Sequence, residues 1–256
     1  MTSAVPDHRV GESGGPASGG PAWNRPGPAL GEFELIERLR AIAPGDAPGV
    51  VHGIGDDAAV LRLDGPVLAT CDSQVEGVHW TRELCSPGDV GWRALAVNLS
   101  DIAAMGGVPR YALVSLLIPP SVGSAALEDL YAGMVQLARL HGVAIVGGNV
   151  SATRGPLAVD VTLLGGAEHP VLRSAARPGD GIWITGSTGK AAAGRFLLAH
   201  TAAAVPARDA LVAAYCRPAP RVAAGQALGA LAGSGLVTSP ASAFSLITTD
   251  LEAFTG

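Results

Sequence analysis

Ser86–Pro120 reads SPGDVGWRALAVNLSDIAAMGGVPRYALVSLLIPP, and the fold class turns on this stretch. Ser86 and Asp89 stand three residues apart with Pro87 next to Ser86. That is the pattern of a helix N-cap with its reciprocal partner and a proline at the first helical position, where the missing N–H is one the helix would not have used. The apolar run that follows predicts a helix to about Met105, stopped by Gly106 and Gly107. Tyr111–Ile118 is a β-like apolar run closed by Pro119 and Pro120.

Outward from this stretch, helical and strand patterns keep interleaving. Downstream, a helix begins near Ser124, carries Leu127, Leu130, Tyr131, Met134 and Leu137 on one side, and ends near Gly142. Val143–Val146 then reads as a short buried strand and Gly147-Gly148-Asn149 as the turn after it. Leu157, Val159, Val161 and Leu163 alternate with their neighbours, the period of a strand with one covered face. Upstream, Phe33, Ile36 and Leu39 mark a short amphipathic helix, and Pro66–Cys71 a strand ending at Asp72. The long helices lie between strands, so the fold class is α+β, a sheet covered by helices on one face.

Residues 1–29 are dominated by Gly, Pro, Ser and Ala and cannot bury enough apolar surface to offset the cost of ordering them. They are expected to be a disordered tail, with order starting at Gly31. Residues 30–170 form the first domain. Residues 171–256 form an incomplete second α/β domain, with a strand at Gly181–Thr185, an Ala-rich helix after Gly189 and two helical stretches around Arg217–Arg221.

Composition narrows the function classes. The formal net charge of −5 gives no basic footprint for nucleic acid or an anionic membrane. Cys71, Cys85 and Cys216 form no C-x-x-C pair and read as thiols of a reducing compartment. No apolar run approaches the roughly 18 residues of a membrane span, and the expected location is the cytoplasm. An acidic protein acting on phosphorylated substrates needs recruited cations to hold them.

The residues suited to that task are carboxylates at the ends of apolar elements. Asp56 and Asp57 follow a Gly-x-Gly turn, and Asp72 and Glu76 follow a strand. Asp101 sits three residues after Asn98 in a helix otherwise covered by Leu95, Val97, Leu99, Ile102, Ala103 and Met105. Adjacent aspartates after glycine also serve as solvated turn or capping groups. Asp101 is different, because a carboxylate in such surroundings is costly unless it is paired or metal-bound. Several carboxylates with few bases nearby suit hard cations, Mg2+ before Ca2+. Gly186-Ser187-Thr188-Gly189-Lys190 is not a P-loop, since Ala191 stands where Ser or Thr must hold the metal. His79 alone fits a hydrogen-bonded structural residue as well as a ligand-binding one.

Taken in order, several segments resemble the thiamine-monophosphate kinase family. They are Gly31-Glu32-Phe33, GIGDDAAVL from Gly53, Asp72 with VEGVHW from Val75, WRALAVNLSDIAAMGGVP from Trp92, GGNVS from Gly147, RPGDGIWITG from Arg177 and RPAPRV from Arg217. The resemblance implies a mixed β-sheet of the aminoimidazole ribonucleotide synthetase-like N-terminal domain, helices on one face, and a homodimer. It implies ATP-dependent phosphorylation of thiamine monophosphate to thiamine diphosphate. It also implies that Asp57, Asp72, Asp101, Asn149 and Cys71 hold Mg2+, that Thr70, Tyr131, Gly148 and Arg173 contact ATP, and that His79 contacts thiamine monophosphate. Asn149 replaces the aspartate of many members, keeping an oxygen ligand and removing a charge. After Leu236 the family's next acidic motif is missing, which points to truncation or frameshift. Two alternatives remain at this level: a related ATP-dependent synthetase or kinase for another small molecule, and an inactive nucleotide-binding dimerisation fragment.

Overall fold

The structure, a computed structural model, describes residues 22–24, 30–55, 58–172, 174, 178–179, 181, 184–200 and 205–233. Its helices are α1 (Glu32–Ile42), α2 (Pro87–Ala104), α3 (Ser124–Leu140), α4 (Lys190–Ala199), α5 (Arg208–Cys216) and α6 (Val222–Gly233). Its strands are β1 (Val50–His52), β2 (Val60–Leu61), β3 (Val67–Val75), β4 (Val108–Ile118), β5 (Ala144–Ala152) and β6 (Ala158–Gly166). The main sheet runs β3-β6-β4-β5. β6 pairs antiparallel with β3 and β4, and β4 pairs parallel with β5. This is the mixed sheet of an α+β fold, with α2 and α3 on one face.

The deciding stretch folds as read. The Asp89 N–H donates to Ser86 Oγ at 3.3 Å and the Ser86 N–H to Asp89 Oδ2 at 3.2 Å, so each residue satisfies an N–H that the helix start would otherwise leave free. β4 then lays Ala112, Val114 and Leu116 against the helices, and β6 adds Val159, Val161 and Leu163 in register. Each large apolar side chain buried there contributes about 1.5–3 kcal/mol. Leu127, Leu130, Met134 and Leu137 of α3 complete this core. On the other face, a small cluster of Tyr111, Ala144 and Val146 is covered by the β1–β2 ribbon, and the Tyr111 hydroxyl donates to the Pro48 carbonyl at 2.6 Å.

Three readings need correction. β3 continues through Asp72 to Val75, because β6 pairs with it along its whole length. β5 runs on through Gly147-Gly148-Asn149 instead of turning there. A Cβ on Gly148 would sit 1.8 Å from the Val114 carbonyl oxygen, so the missing side chain lets β4 and β5 stay paired. Order also begins before Gly31: Ala22–Asn24 form a short 3-10 turn, and Trp23 is 1% exposed in the main core. Beyond β6, the described residues form helices α4, α5 and α6. The expected strand at Gly181–Thr185 falls partly outside the described residues, and those of its positions that are described carry no strand. Among the described residues no helix is long and apolar enough to cross a membrane.

α2 and α3 approach closely because glycines face each other. A Cβ on Gly133 would lie 2.0 Å from the Gly88 carbonyl oxygen, and one on Gly91 would lie 1.9 Å from that of Leu130. Gly133→Ala forces the two helices apart. It should lower stability by about 1–3 kcal/mol, read as a lower urea midpoint at an unchanged slope. A midpoint equal to the parent's would show that the contact is not close-packed in solution.

Candidate functional site

The pleat of β3 sends alternate residues to opposite faces of the sheet. Thr70 and Asp72 pair with Leu163 and Val161 of β6 and therefore share the helix side with them. There the Thr70 hydroxyl donates to Asp101 Oδ2 at 2.6 Å, across a sequence separation of 31 residues. Asp101 is half-buried in the last turn of α2, a turn without a basic residue. The helix dipole places partial negative charge at that end, so a carboxylate there gains most from a donor or a cation. Asp72 is half-buried on the same strand face, one pleat on from Thr70. Asn98 is fully buried; its side-chain N–H donates to the Ala94 carbonyl at 3.0 Å, and its Oδ1 has no hydrogen-bond partner. Asp57 lies outside the described residues. Among the described residues no cluster of three or more His, Cys, Asp or Glu side chains has the geometry of a metal site.

Cys71 and Asn149 belong to the opposite face. Cys71 pairs with Thr162 and Ser73 with Asp160 on β6, while Asn149 pairs with Ser115 of β4, which is opposite Asp160. The Cys71 thiol donates to Asp160 Oδ1 at 3.1 Å, and the Ser73 hydroxyl donates to the other oxygen of the same carboxylate. Thr162 pulls the thiol down by donating a hydrogen bond to it. The Asp160 hydrogen bond, partial burial and carboxylate charge outweigh this and hold it above its ordinary value. The pleat turns the Cys71 thiol to the face opposite the Asp72 side chain. Asn149 is exposed, and its side-chain N–H donates to Ser151 Oγ at 3.1 Å. Asp160 escaped the sequence reading. Its signal was available in the alternation of Val159 and Val161, which places Asp160 and Thr162 together on the face opposite the helices.

The loop after β3 holds His79. The Val75 N–H donates to His79 Nδ1 at 3.0 Å, and Arg93 donates to the His79 carbonyl at 3.2 Å. With Nδ1 accepting, the neutral ring carries its proton on Nε2, a donor suited to an anionic oxygen. Glu76 serves the loop instead of a ligand: both its oxygens accept from Arg82, and one also accepts from the Leu157 N–H.

Tyr131 and Gly148 stand apart from the Thr70–Asp101 pair. Tyr131 is 5% exposed in the core, on the inward stripe of α3, and burial pushes its phenol up. In this chain its ring packs into the main core. Gly148 lies in β5, where its role is the close approach to β4. Arg173 lies outside the described residues. Gly189 caps α4 at φ 84° and Lys190 opens the helix, so the glycine motif here starts a helix.

Residues 55–167 match the family described as AIR synthase related protein, N-terminal domain. The chain is 37% identical over 210 residues to a thiamine-monophosphate kinase of Bacillus subtilis (strain 168), covering 77% of this chain and 62% of that one. The crystal structure of a thiamine-monophosphate kinase from Stenotrophomonas maltophilia K279a is 36% identical, with a TM-score of 0.67, covering 78% of this chain and 65% of that one. AaThiL complexed with AMPPCP and TMP is 33% identical with a TM-score of 0.61, covering 78% of this chain and 63% of that one. The chain thus spans a little under two thirds of the length of these relatives.

Thr70→Val keeps the shape of the side chain and removes the hydroxyl that reaches Asp101. It should cost about 1–3 kcal/mol at neutral pH by leaving a half-buried carboxylate without that donor. Thr70→Ser should recover most of the loss, both read from urea midpoints. Equal midpoints for Val and Thr would mean that the contact contributes nothing.

Proposed function

We propose that this chain is a member of the thiamine-monophosphate kinase family and takes part in the ATP-dependent phosphorylation of thiamine monophosphate to thiamine diphosphate. The observation that carries the reading is the pairing of Thr70 with Asp101 beside Asp72, an all-oxygen donor set at a helix end with no basic residue. Oxygen donors of this kind fit Mg2+, which takes one or two protein carboxylates and completes its shell with phosphate oxygens and water. Asp72 and Asp101 would hold the ion, joined by Asp57. When bound, Mg2+ supplies neutralisation of phosphate charge and a fixed geometry between the two phosphates.

The protein's own residues have a limited chemical task. The acceptor is a phosphate whose second pKa is near 6, so it is already anionic at neutral pH and needs little help from a general base. The difficulty is to bring two polyanions into line. Asp101, steadied by Thr70, keeps its carboxylate oriented before substrate arrives. His79, whose Nδ1 accepts from the Val75 N–H, contacts the phosphate of thiamine monophosphate. Transfer of the γ-phosphoryl group is direct, with no covalent intermediate on the chain.

The same reading takes residues 30–170 as the part that binds nucleotide and metal, and residues from 171 as part of a second unit. It places the protein in the cytoplasm as a homodimer formed through the face of the sheet opposite the helices. That face combines the polar Ser73, Ser115, Asn149, Asp160 and Thr162 with the exposed Leu117. A net charge of −5 argues against nucleic acid as a partner.

The test is production of thiamine diphosphate from thiamine monophosphate and Mg-ATP by the purified chain and by Asp101→Ala. The expected result is product from the parent and a fall of roughly 100-fold or more in the variant, the size of effect seen when a group stabilising transition-state charge is removed. Equal turnover in parent and variant would overturn the metal role of Asp101.

A further inference from the structure

The geometry points to Trp23 as a positioning residue for thiamine monophosphate, acting through the loop that carries His79; this rests on the substrate role proposed for His79. Trp23 lies far upstream in sequence, in a segment whose composition promised no order. Yet its side chain reaches both ends of the segment from Trp80 to Cys85. At one end its ring stacks on Trp80, with centroids 5.0 Å apart and planes 13° from parallel. At the other end its indole N–H donates to the Cys85 carbonyl at 2.8 Å. Between them, the Arg82 guanidinium sits 5.5 Å from the Trp23 ring centroid while also bonding Glu76 and the Ser121 hydroxyl.

Trp80 is the residue next to His79, and it is 1% exposed, as Trp23 is. Its carbonyl accepts from the Gly77 N–H, and it bridges to Glu76, so the position of its ring sets the path of Gly77-Val78-His79. Stacked aromatic pairs have a preferred geometry as well as buried area, so the Trp23 ring holds Trp80 in one orientation. The indole hydrogen bond fixes where the loop rejoins the start of α2. Without Trp23, the Trp80 ring loses its stacking partner and Arg82 loses one face of its environment. The imidazole of His79 keeps its bond from the Val75 N–H but loses a fixed backbone beneath it. A misplaced donor weakens binding of the phosphate it faces and leaves the Thr70–Asp101 pair untouched.

The experiment is isothermal titration of the full chain with thiamine monophosphate alone and, separately, with Mg-ATP. The proteins compared are the parent, Trp23→Ala, Trp23→Phe and His79→Ala. Hydrogen exchange of the amides from Glu76 to Cys85 is followed in the same proteins. Trp23→Ala should bind thiamine monophosphate about tenfold more weakly, with Mg-ATP affinity unchanged and protection lost in the loop. Trp23→Phe keeps a stacking ring and should restore most of the affinity. If His79→Ala weakens thiamine monophosphate binding while Trp23→Ala does not, the inference falls and the reading of His79 stands. If Trp23→Ala loses affinity for both ligands equally, the effect is loss of fold and the inference is overturned. If His79→Ala binds thiamine monophosphate as tightly as the parent, or the parent does not bind it, the reading of His79 fails and the inference fails with it.

Discussion

The close contact of α2 with α3 is the constraint on which the other features depend. Two helices can approach to backbone contact only where side chains are absent, and Gly88, Gly91 and Gly133 supply that gap. Once α2 is seated against α3, its other faces are committed. One covers Val159, Val161 and Leu163 of β6, and another receives α6, where Gly225 lies close to the Ala103 carbonyl. Arg93 reaches both the Tyr215 carbonyl and the His79 carbonyl from the same helix. Asp101, one turn from its end, is thereby delivered to Thr70. A shift of this helix would therefore be felt in the core, in the His79 loop and at the carboxylate pair together.

The sheet divides polar chemistry between its two faces. On the helix side, Thr70, Asp72 and Asp101 form a half-buried oxygen set, a setting where low dielectric strengthens any charge placed beside it. On the other side, Asp160 collects the Cys71 thiol and the Ser73 hydroxyl in a more exposed network. Adjacent residues of β3 thus serve separate sites. The pleat sets the Cys71 side chain on one face and those of Thr70 and Asp72 on the other.

Much of the fold was legible because local patterns in this chain agree with its tertiary structure. The Ser86–Asp89 cap, the helix to about Met105, the inward stripe of α3 and the alternation of β6 all follow from spacing within one element. The misreadings share a cause. Gly147 and Gly148 look like a turn, and they are strand residues because β4 pairs with them. Trp23 looks like part of a polar tail, and it is core because Trp80 and Cys85 receive it. In each case the deciding partner is remote in sequence.

The sequence by itself determined the long helices α2 and α3, the alternation of β6, the helix cap at Ser86 and the chemical types at the candidate site, because these depend on periodicity and on motifs within short windows. The tertiary structure alone decided which face of β3 meets α2. It also decided that Thr70 and not Cys71 joins Asp101, and that an N-terminal tryptophan braces the His79 loop. A strand's alternation defines two faces but does not say which one a helix will cover. That choice belongs to long-range packing, where the close approach of α2 to α3 and the register of β3 on β6 bring together residues that no local pattern connects.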